Sequence, residues 1–284
     1  IKIRNSLIAI GALLSAGCTQ IGLQVANLPT LIDSTKRYQD IAYGQLANQT
    51  LDIYVPSTAK ANQAPVLVFF YGGRWTDGSK EMYPFVAKTF LDLGYVVVIP
   101  DYRKYPDVKF PAFVEDGAQA VAWTLDNVAE YYGDSSRLFI MGHSAGAHIG
   151  ALISADERYL AQLNHSIQNI KAFAGLSGPY DFVPEEEDLK DMFGPPDQYP
   201  QMTVTNFIEG NEPPMLLLWG EKDELVGQRN IDLLAERVRQ KNGAVDTIIY
   251  PNMGHVDMVS NLIWFIPSKA PIQRDIANFF EQQP

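Results

Sequence analysis

Leu138-Phe139-Ile140-Met141 runs directly into Gly142-His143-Ser144-Ala145-Gly146, and small and apolar residues follow from Ala147 to Ala155. The order reads as a buried strand, a tight turn and a helix, with a serine at the tip of the turn. Glycines on both sides of the serine let the chain take a strained conformation that lifts the hydroxyl above the strand end. Without its context, G-x-S-x-G is a weak signal. Between a strand and a helix it makes Ser144 a candidate nucleophile.

Moving outward from this stretch, further apolar runs recur: Val66 to Tyr71, Val96 to Ile99, Met215 to Trp219 and Thr247 to Tyr250, with Ala172 to Leu176 as a weaker member. Such runs suit strands buried on both faces of a parallel sheet. Leu51 to Val55 alternates apolar and polar residues, as a half-exposed strand does. Between the strands, Val121, Ala122, Leu125, Val128, Ala129 and Tyr132 keep helical spacing, as do Ile231, Leu234, Ala235 and Val238. A last helix is expected to begin near Pro271. Strand alternating with helix predicts an α/β fold, a mostly parallel central sheet with helices on both faces. From Asp181 to Pro214 this rhythm breaks into a stretch rich in Pro, Glu and Asp. A connection this long between two core strands is expected to be a lid or pocket wall over one end of the sheet. Its acidic run Glu185-Glu186-Glu187-Asp188 reads as a solvated face.

A serine hydroxyl barely ionises at neutral pH and needs a base, itself oriented by a third group. The chain has 4 histidines. His255, in Asn252-Met253-Gly254-His255, follows the last strand, at the end of a parallel sheet where ligands collect. Asp223, in Gly220-Glu221-Lys222-Asp223, follows the strand before it, and Asp181 is its competitor. The expected constellation is Ser144, Asp223 and His255. Tyr71-Gly72-Gly73-Arg74-Trp75 follows the Val66 strand, and a glycine pair there lets backbone N–H groups face a carbonyl oxygen. Ala145, directly after the candidate nucleophile, would supply another donor.

Composition narrows the classes. The 284 residues carry 22 Lys and Arg against 33 Asp and Glu, a net charge of −11, which works against general nucleic-acid binding. The single cysteine, Cys18, excludes an internal disulfide and a Cys-rich metal site. Lys2 and Arg4 precede the apolar run Leu7 to Leu14, too short to cross a bilayer but of signal-peptide length. The following Leu14-Ser15-Ala16-Gly17-Cys18 resembles the lipobox of bacterial lipoproteins. That resemblance implies a signal peptide over residues 1–17, lipid attachment at Cys18, and a tether over residues 18–37. Thr19 in place of Asp after the cysteine implies the outer membrane. The alternative is a secreted or periplasmic protein cut by an ordinary signal peptidase.

Taken together, the pieces in this order resemble the α/β-hydrolase fold over residues 38–284, with residues 181–214 as the lid. The nearer similarity is to esterases and lipases with a His-Gly-Gly-Gly-Trp type loop: hormone-sensitive-lipase-like carboxylesterases, feruloyl-esterase-like enzymes and isoprenylcysteine methylesterases. Asp101-Tyr102-Arg103 and the helix starting near Pro111 support it. The resemblance implies a serine hydrolase of carboxylic esters without metal or cofactor. It implies oxyanion donors at Gly73, Arg74 and Ala145, and pocket walls at Trp75, Tyr102 and Phe182, with Tyr105 and Phe193 as further candidates. Two departures stand out. Tyr71 occupies the place of the usual His, which is expected to remove a brace from the loop, and Arg74 occupies the place of the third Gly. Arylformamidases share the pattern, so ester and formamide cleavage both stay open, as does an inactive hydrolase-fold binding lipoprotein. The oligomeric state is left open.

Overall fold

The computed structural model describes residues 22–30, 35–61 and 63–283. Cys18, the apolar run before it and residues 19–21 and 31–34 of the expected tether lie outside the described residues, while the tether's last residues already enter β1. Helix α1 covers residues 22–30. Then come β1 (Lys36–Ala42), β2 (Thr50–Val55), β3 (Ala64–Phe70), α2 (Pro84–Leu91), β4 (Val96–Pro100), α3 (Ala112–Asn127), β5 (Gly133–His143), α4 (Ala145–Ala155) and α5 (Glu157–Ala161). The remainder is β6 (Ile170–Leu176), α6 (Glu187–Phe193), β7 (Met215–Gly220), α7 (Arg229–Gln240), β8 (Val245–Tyr250), α8 (Asp257–Ser260) and α9 (Ile272–Glu281).

The strands form one sheet in the order β1-β2-β4-β3-β5-β6-β7-β8. From β4 to β8 every pairing is parallel, while β2 runs antiparallel to both β1 and β4. This is the mostly parallel α/β-hydrolase sheet expected from the apolar runs. Strand order reverses between β3 and β5, because β4 lies outside β3 and the chain then crosses to β5. A crevice opens at the carboxyl ends of strands at such a reversal. There the loop after β3 and the turn after β5 meet.

Four features depart from the sequence reading. Leu51 to Val55, read as a half-exposed strand, is buried along its whole length in β2, where Asp52 pairs with Arg37 and Lys80. The Thr247 to Tyr250 run is not buried on both faces: β8 is the sheet's edge, and Ile249 stays 45% exposed. Strand β1, KRYQDIA, has no apolar alternation and is largely exposed, so nothing in its pattern marks it. It pairs with β2 through an irregular register between Tyr38 and Ile41. Within the expected tether, α1 docks on the domain. Asn27 donates from Nδ2 to the carbonyls of Glu81 and Met82 and accepts the Phe85 N–H at Oδ1 (3.3, 3.4 and 2.9 Å). No described helix is long and apolar enough to cross a membrane.

The core brackets the crevice. Every residue of α4 is buried, which its small residues allow, and α3 lies against it: a Cβ on Gly117 would meet Ile149 and Ile153 of α4. The segment 181–214 is not a bare loop. Besides α6 it holds short 3-10 turns, and its own Met192, Phe193, Met202, Val204 and Ile208 are buried.

Candidate active site

Ser144 sits between β5 and α4 with φ 54° and ψ −123°, a left-handed conformation that costs a non-glycine residue about 1–3 kcal/mol. Packing keeps the turn in that shape. Gly146 lies against the end of β3, where a Cβ would stand 2.1 Å from the Phe70 carbonyl oxygen and 2.4 Å from that of Tyr71. Gly72 abuts the turn from the other side, where a Cβ would come 3.0 Å from Ser144 Cβ. The turn and the loop after β3 therefore interlock only because neither glycine carries a side chain.

The loops after β7 and β8 bring Asp223 and His255 to this point. Ser144 Oγ–H donates to His255 Nε2 at 2.8 Å, and His255 Nδ1–H donates to Asp223 Oδ2 at 2.8 Å. The other carboxylate oxygen, Oδ1, accepts the N–H groups of Leu225 (3.0 Å) and Val226 (2.9 Å). Burial pushes the Asp223 carboxyl up, but the hydrogen bonds from His255 and the Val226 amide outweigh it and hold the group below the usual carboxylate range. An ionised Asp223 accepts from Nδ1–H, which leaves the Nε2 lone pair facing the serine. The competitor Asp181 is elsewhere, accepting a hydrogen bond from Thr205 Oγ1 at 2.6 Å.

Two other histidines belong to the frame. His143 Nε2–H donates to the His255 carbonyl oxygen at 3.0 Å, fixing the backbone of the loop that presents the imidazole. Burial, with His255 adjacent, pushes the His143 ring down to about 3, so it stays neutral. His148 Nε2–H donates to the Met202 carbonyl at 2.8 Å, tying α4 to the segment 181–214. Burial pushes this ring down to about 4, and its edge meets the Trp75 ring. Neither role had a sequence signal, since both partners are carbonyls distant in the chain.

The loop after β3 is wound by positive φ at Gly73 (132°), Arg74 (55°) and Trp75 (60°). The N–H groups of Gly73, Arg74 and Ala145 make no hydrogen bond among the described residues. Ala145 opens α4, where unsatisfied amides and the helix dipole favour negative charge. Tyr71 corrects an expectation. It does not remove a brace but supplies one. Its ring is fully buried and stacked between Tyr83 and Tyr102 (centroids 5.3 and 4.9 Å), and its hydroxyl donates to Asp101 Oδ1. The Lys80 N–H donates to the same oxygen at 2.9 Å.

Tyr102 is likewise corrected. It is fully buried beneath the loop, with its hydroxyl donating to the Tyr71 carbonyl at 2.8 Å, and lines no part of the cleft. Its neighbours consume its whole surface. Phe193 is buried against the Trp75 and Phe182 rings, and Tyr105 donates to Asp191 away from the cleft. The cleft above Ser144 measures about 390 Å³. Trp75 and Phe182 line it, together with Leu189, Leu225, Val226 and Asn230, which the sequence reading did not single out. Arg74 stands at the cleft, its guanidinium paired with Glu186 (2.8 Å) and Asp188 (3.0 Å). Two of the acids read as a solvated face thus hold the segment 181–214 to the loop. Among the described residues no group of three or more His, Cys, Asp or Glu is placed to hold a metal ion.

The family model BD-FAE matches residues 51–238. The chain belongs to the BD-FAE family. As a BD-FAE member it is similar to esterase LipQ of Mycobacterium tuberculosis, 31% identical over 257 residues that cover 81% of this chain and 60% of LipQ. It is 25% identical to isoprenylcysteine alpha-carbonyl methylesterase ICME of Arabidopsis thaliana, covering 78% of this chain and 56% of that protein. Esterase B from Lactobacillus rhamnosis superposes with a TM-score of 0.75 at 18% identity, over 96% of this chain and 94% of its own, and so shares the fold. This BD-FAE chain spans about 60% of the length of the curated relatives it matches most strongly.

Proposed function

We propose that this chain hydrolyses carboxylic esters through Ser144, with His255 as general base and acid and Asp223 holding the imidazole. The carrying observation is the unbroken chain of 2.8 Å hydrogen bonds from Ser144 Oγ through His255 to Asp223. Membership of the BD-FAE family and the esterase relatives support it.

The chemistry follows from that chain. As Ser144 Oγ attacks the ester carbonyl, its proton passes to His255 Nε2. The resulting imidazolium is stabilised by the charged Asp223. The N–H groups of Gly73, Arg74 and Ala145, unused elsewhere, receive the developing oxyanion. Collapse breaks the carbonyl carbon–alkoxy oxygen bond, and His255 returns the proton to the leaving alcohol. Water then adds to the acyl-enzyme, giving a proton to His255, and release of the acid restores Ser144. Every proton is accounted for by His255, and the apolar lining of Trp75, Phe182, Leu189 and Val226 suits an uncharged ester.

A fluorophosphonate probe should label Ser144, and the label should disappear in Ser144→Ala. A chain that binds esters without labelling or turnover would instead be an inactive binding protein. Parallel assays of p-nitrophenyl esters and an aryl formamide decide the bond: esters are expected to turn over faster, and the reverse order would make the chain an amide hydrolase.

We also propose that Cys18 carries the lipid anchor in a bacterial cell envelope, at the outer membrane. The support is the match of Leu14 to Cys18 to a lipobox and the placing of the single cysteine within it. Cys18→Ser should move the protein from the membrane to the soluble fraction. Unchanged membrane association, with no acyl mass on the wild type, would refute it.

A further inference from the structure

Helix α1 meets the domain with one face only. Leu23, Ala26, Asn27 and Thr30, at helical spacing, are buried or half-buried, whereas Val25 (42%) and Leu28 (46%), three residues apart, share the outward face and stay exposed. Asn27 fixes that orientation through the Phe85 N–H and the carbonyls of Glu81 and Met82. Phe85 also lines a groove of about 320 Å³ between α2 and the loop after α8, and Trp264 lines the same groove. Trp264 is 59% exposed and its neighbour Phe265 42%, their rings meeting edge-on at 5.3 Å. This exposure is built in. Thr89 Oγ1–H donates to the Leu262 carbonyl (3.1 Å), and Asn261 closes the neck of the loop, donating to the Ala270 carbonyl (2.8 Å) and accepting the Lys269 N–H (2.7 Å). Two elements that adjoin Phe85 thus hold four large apolar side chains in water, more than scattered single residues explain.

The occupant follows from the chain just before α1. Cys18 precedes Gly22 by four peptide steps, and a residue spans at most about 3.6 Å, so its backbone lies within about 15 Å of the start of this helix. A lipid carried there brings a bilayer surface beside Val25 and Leu28. Charge sets the kind of surface. Lys88, Lys269 and Arg274 around the groove each stand beside a carboxylate, of Asp92, Asp257 and Asp275, and the net charge of −11 opposes an anionic bilayer. Tryptophan, an apolar ring with one N–H donor, suits the boundary between headgroups and acyl chains. We propose that Val25, Leu28, Trp264 and Phe265 form a face that rests on the headgroup region of a zwitterionic bilayer. The choice of a bilayer as occupant rests on the Cys18 reading above, whereas the face itself is read from the fold.

The test mixes the full chain carrying Cys18→Ser with phosphatidylcholine vesicles and floats them on a sucrose gradient. Each of the four side chains keeps part of its surface in water, and moving that part into the bilayer contributes about fivefold to partitioning. Val25→Ser with Leu28→Ser, and separately Trp264→Ser with Phe265→Ser, should each lower the partition coefficient about 20-fold. All four positions are solvent-facing, so the melting temperature should hold. Phosphatidylglycerol vesicles should bind no more tightly than phosphatidylcholine. In the wild type reconstituted with brominated phosphatidylcholine, tryptophan emission should be quenched, and Trp264→Phe should abolish the quenching. Partitioning unchanged in either double variant, binding confined to phosphatidylglycerol, or quenching unaltered by Trp264→Phe overturns the face. So does a dimer in sedimentation that the double variants dissociate, because a second copy would then cover it. A wild type without acyl mass, beside a Cys18→Ser chain that still floats, defeats the anchor and leaves the face standing. An acylated wild type that brominated lipid does not quench defeats the face and leaves the anchor.

Discussion

Tyr71 and Arg74 lie three residues apart in one loop and are secured in opposite ways. Tyr71 is fully buried, stacked between two aromatic rings and hydrogen-bonded to Asp101. The Arg74 side chain is 42% exposed and reaches carboxylates that are themselves 66% and 44% exposed. Burial shields the first set of contacts from solvent and salt. The second set is worth only about 0–1 kcal/mol per pair and is screened by ions. The lesson is a division of labour within five residues. The backbone that the proposed mechanism aims at the substrate carbonyl is anchored from below by buried contacts, while the wall over the cleft is fastened from above by contacts that can open.

The largest expected effect sets the floor for this contrast. Ser144→Ala should lower kcat/KM by about 10⁴-fold, leaving only the oxyanion and binding contributions, as measured with p-nitrophenyl acetate. Acid should break the buried side next. His143 and His148 are held neutral in the fold, down to about 3 and about 4, whereas an unfolded histidine takes a proton near 6.5. Their contribution to stability is therefore complete above about pH 6.5 and drains away as pH falls toward 4. At about 1.4 kcal/mol per pH unit for each ring, moving from pH 7 to 5 should cost about 4 kcal/mol, read from urea midpoints. A midpoint unchanged at pH 5 would show that neither ring is sealed from solvent.

Tyr71→Phe removes one donor from the half-buried Asp101 carboxylate, a loss of about 1.5–3 kcal/mol. It should lower both the melting temperature and kcat, the latter about tenfold, with KM little changed, because the ring and its stacking on Tyr83 and Tyr102 remain beneath the loop. The smallest effect belongs to the clasp. Arg74→Gln should change kcat/KM by no more than about fivefold. Raising salt to about 1 M should produce the same change in the wild type and little further change in the variant. An Arg74 effect larger than the Tyr71 effect would invert the comparison.

These differences in attachment also explain what could be read in advance. The central strands were legible because a strand buried on both faces must be apolar along its whole length, as VVVI and MLLLW are. The Ser144 turn was legible because its glycines are required by approaches of 2–3 Å that leave no room for a Cβ. His255 and Asp223 could be placed because each directly follows a recognisable strand. Strand β1 was not legible, since its residues face solvent and its place comes from pairing with β2. The edge position of β8 was hidden as well, because TIIY suits an edge as well as a centre. Tyr71, Tyr102 and the acids Glu186 and Asp188 depend on partners 30 to 114 residues away, and no local period carries that information.

The hydrogen bond from Ser144 to His255 spans 111 residues, and β8 is the last strand to join the sheet in chain order. A polypeptide emerging from the ribosome N-terminus first presents Ser144 before His255, so under the proposed function the hydroxyl has no base until the loop after β8 has been made. On that proposal the growing protein is chemically silent until that loop folds into place.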